Sequence, residues 1–184
     1  MSKASDLARF GVVQSGGIIE RLSSPCDGSS VTVGSGTYTF GNVTGEQTLT
    51  TSFADVTGSS MAYTPPSIAT RVEYEFNYST AYVDSVSVTI MQFLIDSDVV
   101  TEGYLFTQAS QWYSDRVTFR WVIHIGGVAD TASGRLASWT SAKTLKLQAN
   151  DYSASNDNKL HRISYLNDDS APLTIPTLSI TAIR

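Results

Sequence analysis

Regular alternation of apolar and polar side chains dominates the middle of this chain. Val72, Tyr74, Phe76 and Tyr78 take every second position of one segment, with polar or charged residues between them. Residues 116–125 repeat the pattern with aromatic and aliphatic side chains. A period of two places the apolar set on one face of a β-strand and the polar set on the other. The pattern therefore predicts half-buried strands that share one core.

About eight to ten such short segments follow one another, separated by turns rich in Gly, Pro, Asn and Asp. None of them carries a helical period. Ser and Thr make up about a quarter of the chain, which suits pleated, half-buried surfaces. The sequence thus predicts an all-β fold, an antiparallel β-sandwich. Long connections at 109–115 and 126–141 favour a jelly-roll-like path over a simple meander.

The first 45 residues differ from the rest because they hold little core material of their own. We therefore predict an extended N-terminal arm with a small hairpin over residues 1–45, and a β-sandwich domain over residues 46–184. An arm that cannot bury its apolar side chains within itself must pack against another surface, so we expect it to serve docking or oligomerisation. Its apolar residues are Leu7, Phe10, Val12, Val13, Ile18, Ile19 and Leu22. The expected assembly is a homo-oligomer, with a trimer as first choice.

Charge and composition exclude several classes of function. The net charge is −5, and no cluster of Lys and Arg suits phosphate binding, so we expect no nucleic-acid partner. The longest apolar stretch, residues 86–95, is too short and too polar to span a membrane. The N-terminus lacks the apolar core of a secretory signal, and Cys26 has no cysteine partner, so we expect synthesis in the cytoplasm.

Candidate catalytic and metal-binding groups are sparse. Glu73 and Glu75 lie on one face of a predicted strand, about 7 Å apart, which is within range of a glycosidase pair. A solvent-facing pair of carboxylates is the favoured interpretation. Asp96, Asp98 and Glu102 could offer oxygens to calcium, although a hairpin turn explains them better.

The two histidines and the cysteine give no catalytic arrangement either. His124 lies in an alternating strand, and the chain has no nucleophile turn of the G-x-S-x-G kind to complete a Ser-His-Asp set. We expect His161 to be solvated beside a loop and Cys26 to be an inert thiol in a turn. The sequence therefore predicts no catalytic residues, no metal site and no cofactor.

Aromatic residues are more numerous than a core of this size needs. Tyr and Trp in or near loops serve both sugar recognition and subunit contacts. We expect a glycan or a neighbouring subunit to contact the following residues: Tyr82, Tyr104, Trp112, Tyr113, Tyr152 and Tyr165.

Several segments resemble small structural proteins from tailed phages of marine cyanobacteria. The segments that carry this resemblance are residues 1–9, 50–59, 63–67, 72–76, 93–98 and 139–149. The resemblance implies a β-sandwich component of a virion, made in the host cytoplasm, and it implies no catalytic residues.

Within that class, we expect a capsid decoration or cement protein that docks by its N-terminal arm on the major capsid protein or another virion protein. The alternative is a tail-fibre or appendage protein that binds host surface glycan. A glycan-degrading enzyme is a more distant alternative.

Overall fold

A computed structural model of the protein describes residues 16–82, 87–109, 113–155, 158–163 and 172–184. The described residues form thirteen β-strands and no helix. In chain order these are β1 (Ile18–Pro25), β2 (Ser30–Val33), β3 (Gly36–Thr39), β4 (Gln47–Thr48), β5 (Ala54–Asp55), β6 (Met61–Tyr63), β7 (Arg71–Tyr82), β8 (Ser87–Ile95), β9 (Asp98–Ala109), β10 (Tyr113–His124), β11 (Lys143–Asp151), β12 (Asn158–Leu160) and β13 (Thr177–Ile183).

Two antiparallel sheets hold nearly all of these strands. One runs β1-β13-β7-β12-β4, with β10 paired to the other edge of β7, and the second runs β5-β11-β8-β9, with β6 also paired to β11. Without the short strands β4 and β12, the first sheet has the order β1-β13-β7-β10. It faces the second sheet, whose order is β5/β6-β11-β8-β9. That is the arrangement of an eight-stranded jelly roll. The predicted all-β, jelly-roll-like sandwich is therefore confirmed.

The core lies between the inner faces of these sheets. The Tyr74 ring lies 5.0 Å from that of Phe93, and Phe93 lies 5.6 Å from Phe119, so the two sheets interlock through aromatic contacts. Every residue predicted to point inward is buried or packs against this core. These residues are Val72, Tyr74, Phe76, Val117, Phe119, Trp121, Leu145, Leu147, Leu178 and Ile180.

The described part of the predicted N-terminal arm belongs to the sandwich. Strand β1 pairs with β13 along its length, and Leu22, Cys26, Phe40 and Val43 are buried in the common core. Strand β1 thus covers β13, which the sequence places more than 150 residues away, and the buried side chains between Leu22 and Val43 join the core of the sandwich. The boundary predicted at residue 45 does not separate an arm from a domain within this part of the chain.

Two further expectations need correction. The stretch 109–115, predicted as a long crossing, is mostly strand, because β9 ends at Ala109 and β10 begins at Tyr113. His161, expected in solvent, is fully buried, and its ring meets that of Phe76 edge-on at 6.3 Å. Leu160 already points into the core, so alternation alone would turn residue 161 outward; its left-handed backbone, with a φ of +64°, breaks that alternation.

Long apolar helices do not occur among the described residues, so none of these could cross a membrane as a helix.

Candidate ligand-binding face

The outer face of the five-stranded sheet combines exposed aromatic rings with paired amides. In β11, Leu145, Leu147 and Ala149 point into the core, whereas Lys146 and Gln148 point outward. The neighbouring strand β8 presents Gln92 on the same side, level with Gln148. Alternation thus gives this sheet an apolar inner face and a polar outer face.

Three aromatic side chains meet on this outer face. The ring centroids of Tyr104 and Phe106 lie 6.3 Å apart, and their planes differ by only 21°. Phe53, which immediately precedes β5, meets Tyr104 edge-on at 6.5 Å. Phe53 and Tyr104 are each 39% exposed, and Phe106 is 64% exposed. We call these three residues the aromatic platform.

An irregularity in β9 brings Tyr104 to this face. Val100 pairs with Phe93, and Leu105 pairs with Met91, so several residues of β9 lie opposite one residue of β8. In a regular strand, positions five apart would point to opposite faces. Here both Val100 and Leu105 pack towards the core, and Gly103 allows the close approach, since a Cβ there would lie 3.2 Å from the Val100 carbonyl oxygen.

A ladder of hydrogen bonds crosses the face from the platform to its far edge. The Tyr104 hydroxyl donates to Gln92 Oε1 at 2.8 Å, and Gln92 Nε2 donates to Gln148 Oε1 at 2.8 Å. Gln148 Nε2 in turn donates to Asp55 Oδ1 at 2.8 Å. The bonds link β9, β8, β11 and β5 in order, so the amides are held in fixed orientations. We call Asp55, Gln92 and Gln148 the amide ladder.

Asp55 ends the ladder as an ionised carboxylate. Lys146 Nζ lies 2.9 Å from its carboxylate oxygen. Burial acts to raise the pKa of Asp55, but the hydrogen bonds from Lys146 and Gln148 outweigh it and hold the pKa below its ordinary value. Both carboxylate oxygens therefore remain acceptors at neutral pH.

Next to the ladder lies an open groove of about 550 Å³. Gln148 and Lys146 form one of its sides, so the groove continues directly from the ladder. The remaining lining residues are Leu94, Asp96, Ser97, Val99 and Thr144. Together the platform and the groove offer exposed aromatic surface beside the polar side chains of Gln148 and Asp55, whereas Gln92 is only 7% exposed and holds the ladder in place.

The aromatic residues predicted as contacts divide among several environments. Tyr104 is part of the platform, whereas Tyr82 is buried and its hydroxyl pairs with Thr107 Oγ1 at 2.9 Å, so Tyr82 cannot act as a surface contact. Tyr152 is 72% exposed at the end of β11. Trp112 and Tyr165 lie outside the described residues, as does the side chain of Tyr113.

The sequence interpretation missed Phe53, Phe106 and both ladder glutamines. Phe106 could have been found from its spacing, because it lies two residues from Tyr104 in an alternating strand and must share its face. Gln92 and Gln148 could not, because only the pairing of β8 with β11 sets them side by side.

The residues predicted to dock divide in a similar way. Leu22 is fully buried in the core and Ile19 packs against it, so the apolar surface of both is covered within this chain. Ile18 is 66% exposed at the start of β1. Leu7, Phe10, Val12 and Val13 lie outside the described residues, and their docking role stays a prediction.

Two of the other candidate carboxylates, Glu73 and Asp96, have structural partners. Glu73 forms an ion pair with Arg120 on the outer face of the larger sheet. Asp96 accepts hydrogen bonds from Lys143 Nζ and the Thr144 amide, both at 2.8 Å, and the Lys143 contact lowers the pKa of Asp96 in spite of burial. Asp96 thus ties its turn to β11. Within the described segments, no group of three His, Cys, Asp or Glu side chains is arranged to hold a metal.

Burial sets the protonation state of the Cys26 thiol. It raises the pKa of Cys26 to about 12, with a smaller contribution from Asp27, so the thiol stays protonated. Its Sγ donates to the Gly58 carbonyl at 3.2 Å. Cys26 is therefore a core residue rather than a nucleophile.

Comparisons with known proteins give only remote likenesses. No family model matches the chain, and no curated protein matches it. Among solved structures, the chain is similar to those of infectious bursal disease virus strains Gx and Gt. The TM-scores are 0.41 and 0.39, identity is 8% in both, and coverage is 90% and 89% of this chain.

The chain spans 37% of the length of either virus chain. It is also similar to the CBM22-1 xylan-binding domain of Paenibacillus barcinonensis Xyn10C, with a TM-score of 0.32, 11% identity and coverage of 94% of this chain and 99% of that one. TM-scores this low carry no weight for fold or function, which rest on strand order and on the geometry of the face.

Proposed function

We propose that this protein is a structural subunit of a virus particle and that its amide ladder and aromatic platform bind host surface glycan. The resemblance to phage structural proteins and the jelly-roll strand order support the first part of the proposal. Jelly rolls serve both as viral capsid domains and as lectins. Because one fold serves both roles, the function has to be argued from the site.

The aromatic platform is the observation that carries the glycan-binding part. Tyr104 and Phe106 lie side by side with nearly parallel planes and leave much of their surface in solvent. Exposed aromatic rings grouped on one face of a soluble protein mark an interaction site. A sugar ring has an apolar C–H face that stacks on such a surface.

The amide ladder supplies the polar half of sugar recognition. A sugar hydroxyl both donates and accepts, and the side chains of Gln and Asp offer both kinds of partner. Gln92, Gln148 and Asp55 are already oriented by bonds to one another. Ligand binding therefore need not freeze these side chains, which lowers its entropic cost.

The test is a glycan array probed with the wild-type protein and with Tyr104→Ala and Phe106→Ala. We expect the wild type to bind a subset of glycans and each variant to lose at least tenfold in affinity. Leu173→Ala is the matched control, because Leu173 is 40% exposed, close to the 39% of Tyr104, and lies outside the platform, the ladder and the groove. Equal binding by all four proteins would exclude the platform as the site.

A second candidate function is capsid decoration through the N-terminal segment. Ile18 is exposed where that segment joins the fold, and it pairs with Ile183 at one end of the sandwich. Ile68 and the almost fully exposed Val128 belong to loops at the same end, since Thr70 bonds to both Ile183 and Ile125. Apolar side chains there, together with residues 1–15, would suit docking on a capsid protein or another virion protein.

We further propose that the protein has no catalytic activity and assembles as a homotrimer in the virion. The pairing of Glu73 with Arg120 supports the first statement, since an ion-paired carboxylate is poorly suited to act as a general acid. Assays for release of reducing sugar from bound glycan would test it. A hydrolytic activity lost in Glu73→Gln would overturn it.

A further inference from the structure

The face that carries the aromatic platform and the amide ladder is long in the direction of its strands. Phe106 of the platform pairs with Ile90 of β8, and Asp96, just beyond the end of β8, lines the groove. Six residues separate Ile90 from Asp96, which corresponds to roughly 20 Å of extended strand. A single sugar ring would occupy only a part of this length.

The charges along this length are paired with one another. Lys146 contacts Asp55 at 2.9 Å, and Lys143 contacts Asp96 at 2.8 Å. An acidic sugar would have to compete with these carboxylates for the two lysines. The chain as a whole carries a net charge of −5, which also disfavours an anionic ligand.

The shape of the platform restricts the sugar further. The rings of Tyr104 and Phe106 are stacked with their planes 21° apart, and Phe106, at 64% exposed, offers the larger apolar ring surface to a sugar. A pyranose with equatorial hydroxyls has flat C–H faces and can lie on such a surface. A sugar with several axial hydroxyls would hold its ring away from it.

We propose that the ligand is a neutral, linear polysaccharide that binds along the strands through several consecutive units. One unit stacks on Tyr104 and Phe106, the next meets Gln148 and Asp55, and later units lie in the groove beside Ser97 and Thr144. This inference rests on the glycan-binding function proposed above and specifies its ligand class.

The experiment is calorimetric titration with β-1,4-linked oligomers of glucose, xylose and mannose, two to six units long. Acidic galacturonate oligomers of the same lengths serve as the charged comparison. We expect affinity for at least one neutral series to rise at least tenfold between the shortest and the longest oligomer. The acidic oligomers should bind at least tenfold more weakly at equal length.

Two variants separate the stacking end of the site from the groove. Tyr104→Ala should weaken binding of every oligomer, whereas Ser97→Leu, which fills the groove at an exposed position, should weaken only the longer ones. Leu173→Ala, which lies outside this face, should bind as the wild type does. Thermal unfolding of each variant shows that the fold is intact.

The outcomes distinguish this inference from the function on which it rests. Neutral binding with no dependence on length, or preferential binding of the acidic series, would overturn the inference and leave glycan binding standing. Absence of binding to every oligomer of the panel would overturn the inference, and the glycan array then decides the proposed function separately.

Discussion

At the scale of single residues, His161 carries the clearest dependence on pH. It is fully buried, and within the described residues neither ring nitrogen has a hydrogen bond of normal geometry, although the Thr57 backbone lies close enough to act on the ring. Burial lowers the pKa of His161 to about 4, and the Thr57 backbone offsets only part of that effect. The imidazole is therefore neutral in the folded protein at neutral pH.

Acid should destabilise the protein through this residue. Between pH 6.5 and 4 the unfolded chain binds a proton at His161 and the folded chain does not, so the free energy of unfolding falls as the pH falls. A pKa lowered from 6.5 to about 4 corresponds to a loss on the order of 3 kcal/mol when the pH reaches 4. Urea unfolding at pH 7, 6 and 5 would measure the first part of this loss.

His161→Asn provides the control for the acid effect. Residue 161 has a φ of +64°, a conformation that Asn tolerates better than most residues do, and Asn does not titrate. The pKa of Glu46 lies below its ordinary value, because Lys159 and Arg162 outweigh the effect of burial, so Glu46 stays ionised above pH 5. If the free energy of unfolding of His161→Asn falls between pH 7 and 5 as much as that of the wild type, another group is responsible for the acid effect.

A buried phenylalanine in β10 of the larger sheet, Phe119, and an exposed one in β9 of the smaller sheet, Phe106, provide a second residue-scale prediction. Phe119 is buried against Tyr74 and Phe93, so Phe119→Ala should lower the free energy of unfolding by about 3–5 kcal/mol. Phe106 is largely exposed, and Phe106→Ala should change it by no more than about 0.5 kcal/mol. Denaturant titration measures both, and similar losses in the two variants would contradict the assigned orientation of the strands.

At the scale of elements, alternation predicted two of the long strands. β7 and β10 lie close to the two segments, at residues 72–78 and 116–125, in which apolar and polar residues alternate. In β9 alternation fails, because the strand bulges between Val100 and Leu105 and both side chains point towards the core. The bulge depends on pairing with β8, so no local pattern predicts it. The place of β1 was missed for a related reason, since its partner β13 is far away in sequence and no local pattern identifies it.

The β2–β3 hairpin is fastened to the sandwich through Glu20 of β1. The Ser35 amide donates to Glu20 Oε2 at 3.0 Å, and the buried Tyr63 hydroxyl donates to Glu20 Oε1 at 2.7 Å. Burial, reinforced by Glu20, raises the pKa of Tyr63, which keeps its hydroxyl protonated as a donor. One carboxylate thus joins β1, the hairpin and β6.

Removing this carboxylate should release the hairpin before the rest of the fold. Glu20→Ala leaves the Tyr63 hydroxyl buried without its acceptor, which should cost about 1.5–3 kcal/mol of unfolding free energy. Amide hydrogen exchange in residues 30–39 should accelerate more than exchange in β7. Glu20→Gln still offers Tyr63 an acceptor, so its free energy of unfolding should lie between those of the wild type and Glu20→Ala. Uniform acceleration across both sheets would show that Glu20 supports the whole core instead.

At the scale of the whole molecule, the place of β1 defines how much of the N-terminus can be removed. Leu22 is part of the core and β1 forms seven register pairs with β13, so a deletion through residue 22 would damage the sandwich. A deletion of residues 1–15 stops before β1 and leaves all of these pairs in place. The shorter deletion can therefore separate docking from folding.

We expect the protein without residues 1–15 to fold and to lose attachment to particles. Its urea midpoint should match that of the full chain, because the seven pairs of β1 with β13 and the buried Leu22 all lie after residue 15 and remain in place. Co-sedimentation with virions that lack the protein should recover the full chain and leave the truncated protein in the supernatant. Native mass spectrometry of both forms shows whether the same segment holds a trimer of the 19.9 kDa chain together. Truncated protein that pellets at normal occupancy would place the docking surface on the sandwich itself, with the exposed end at Ile18, Ile68 and Val128 as the first surface to mutate.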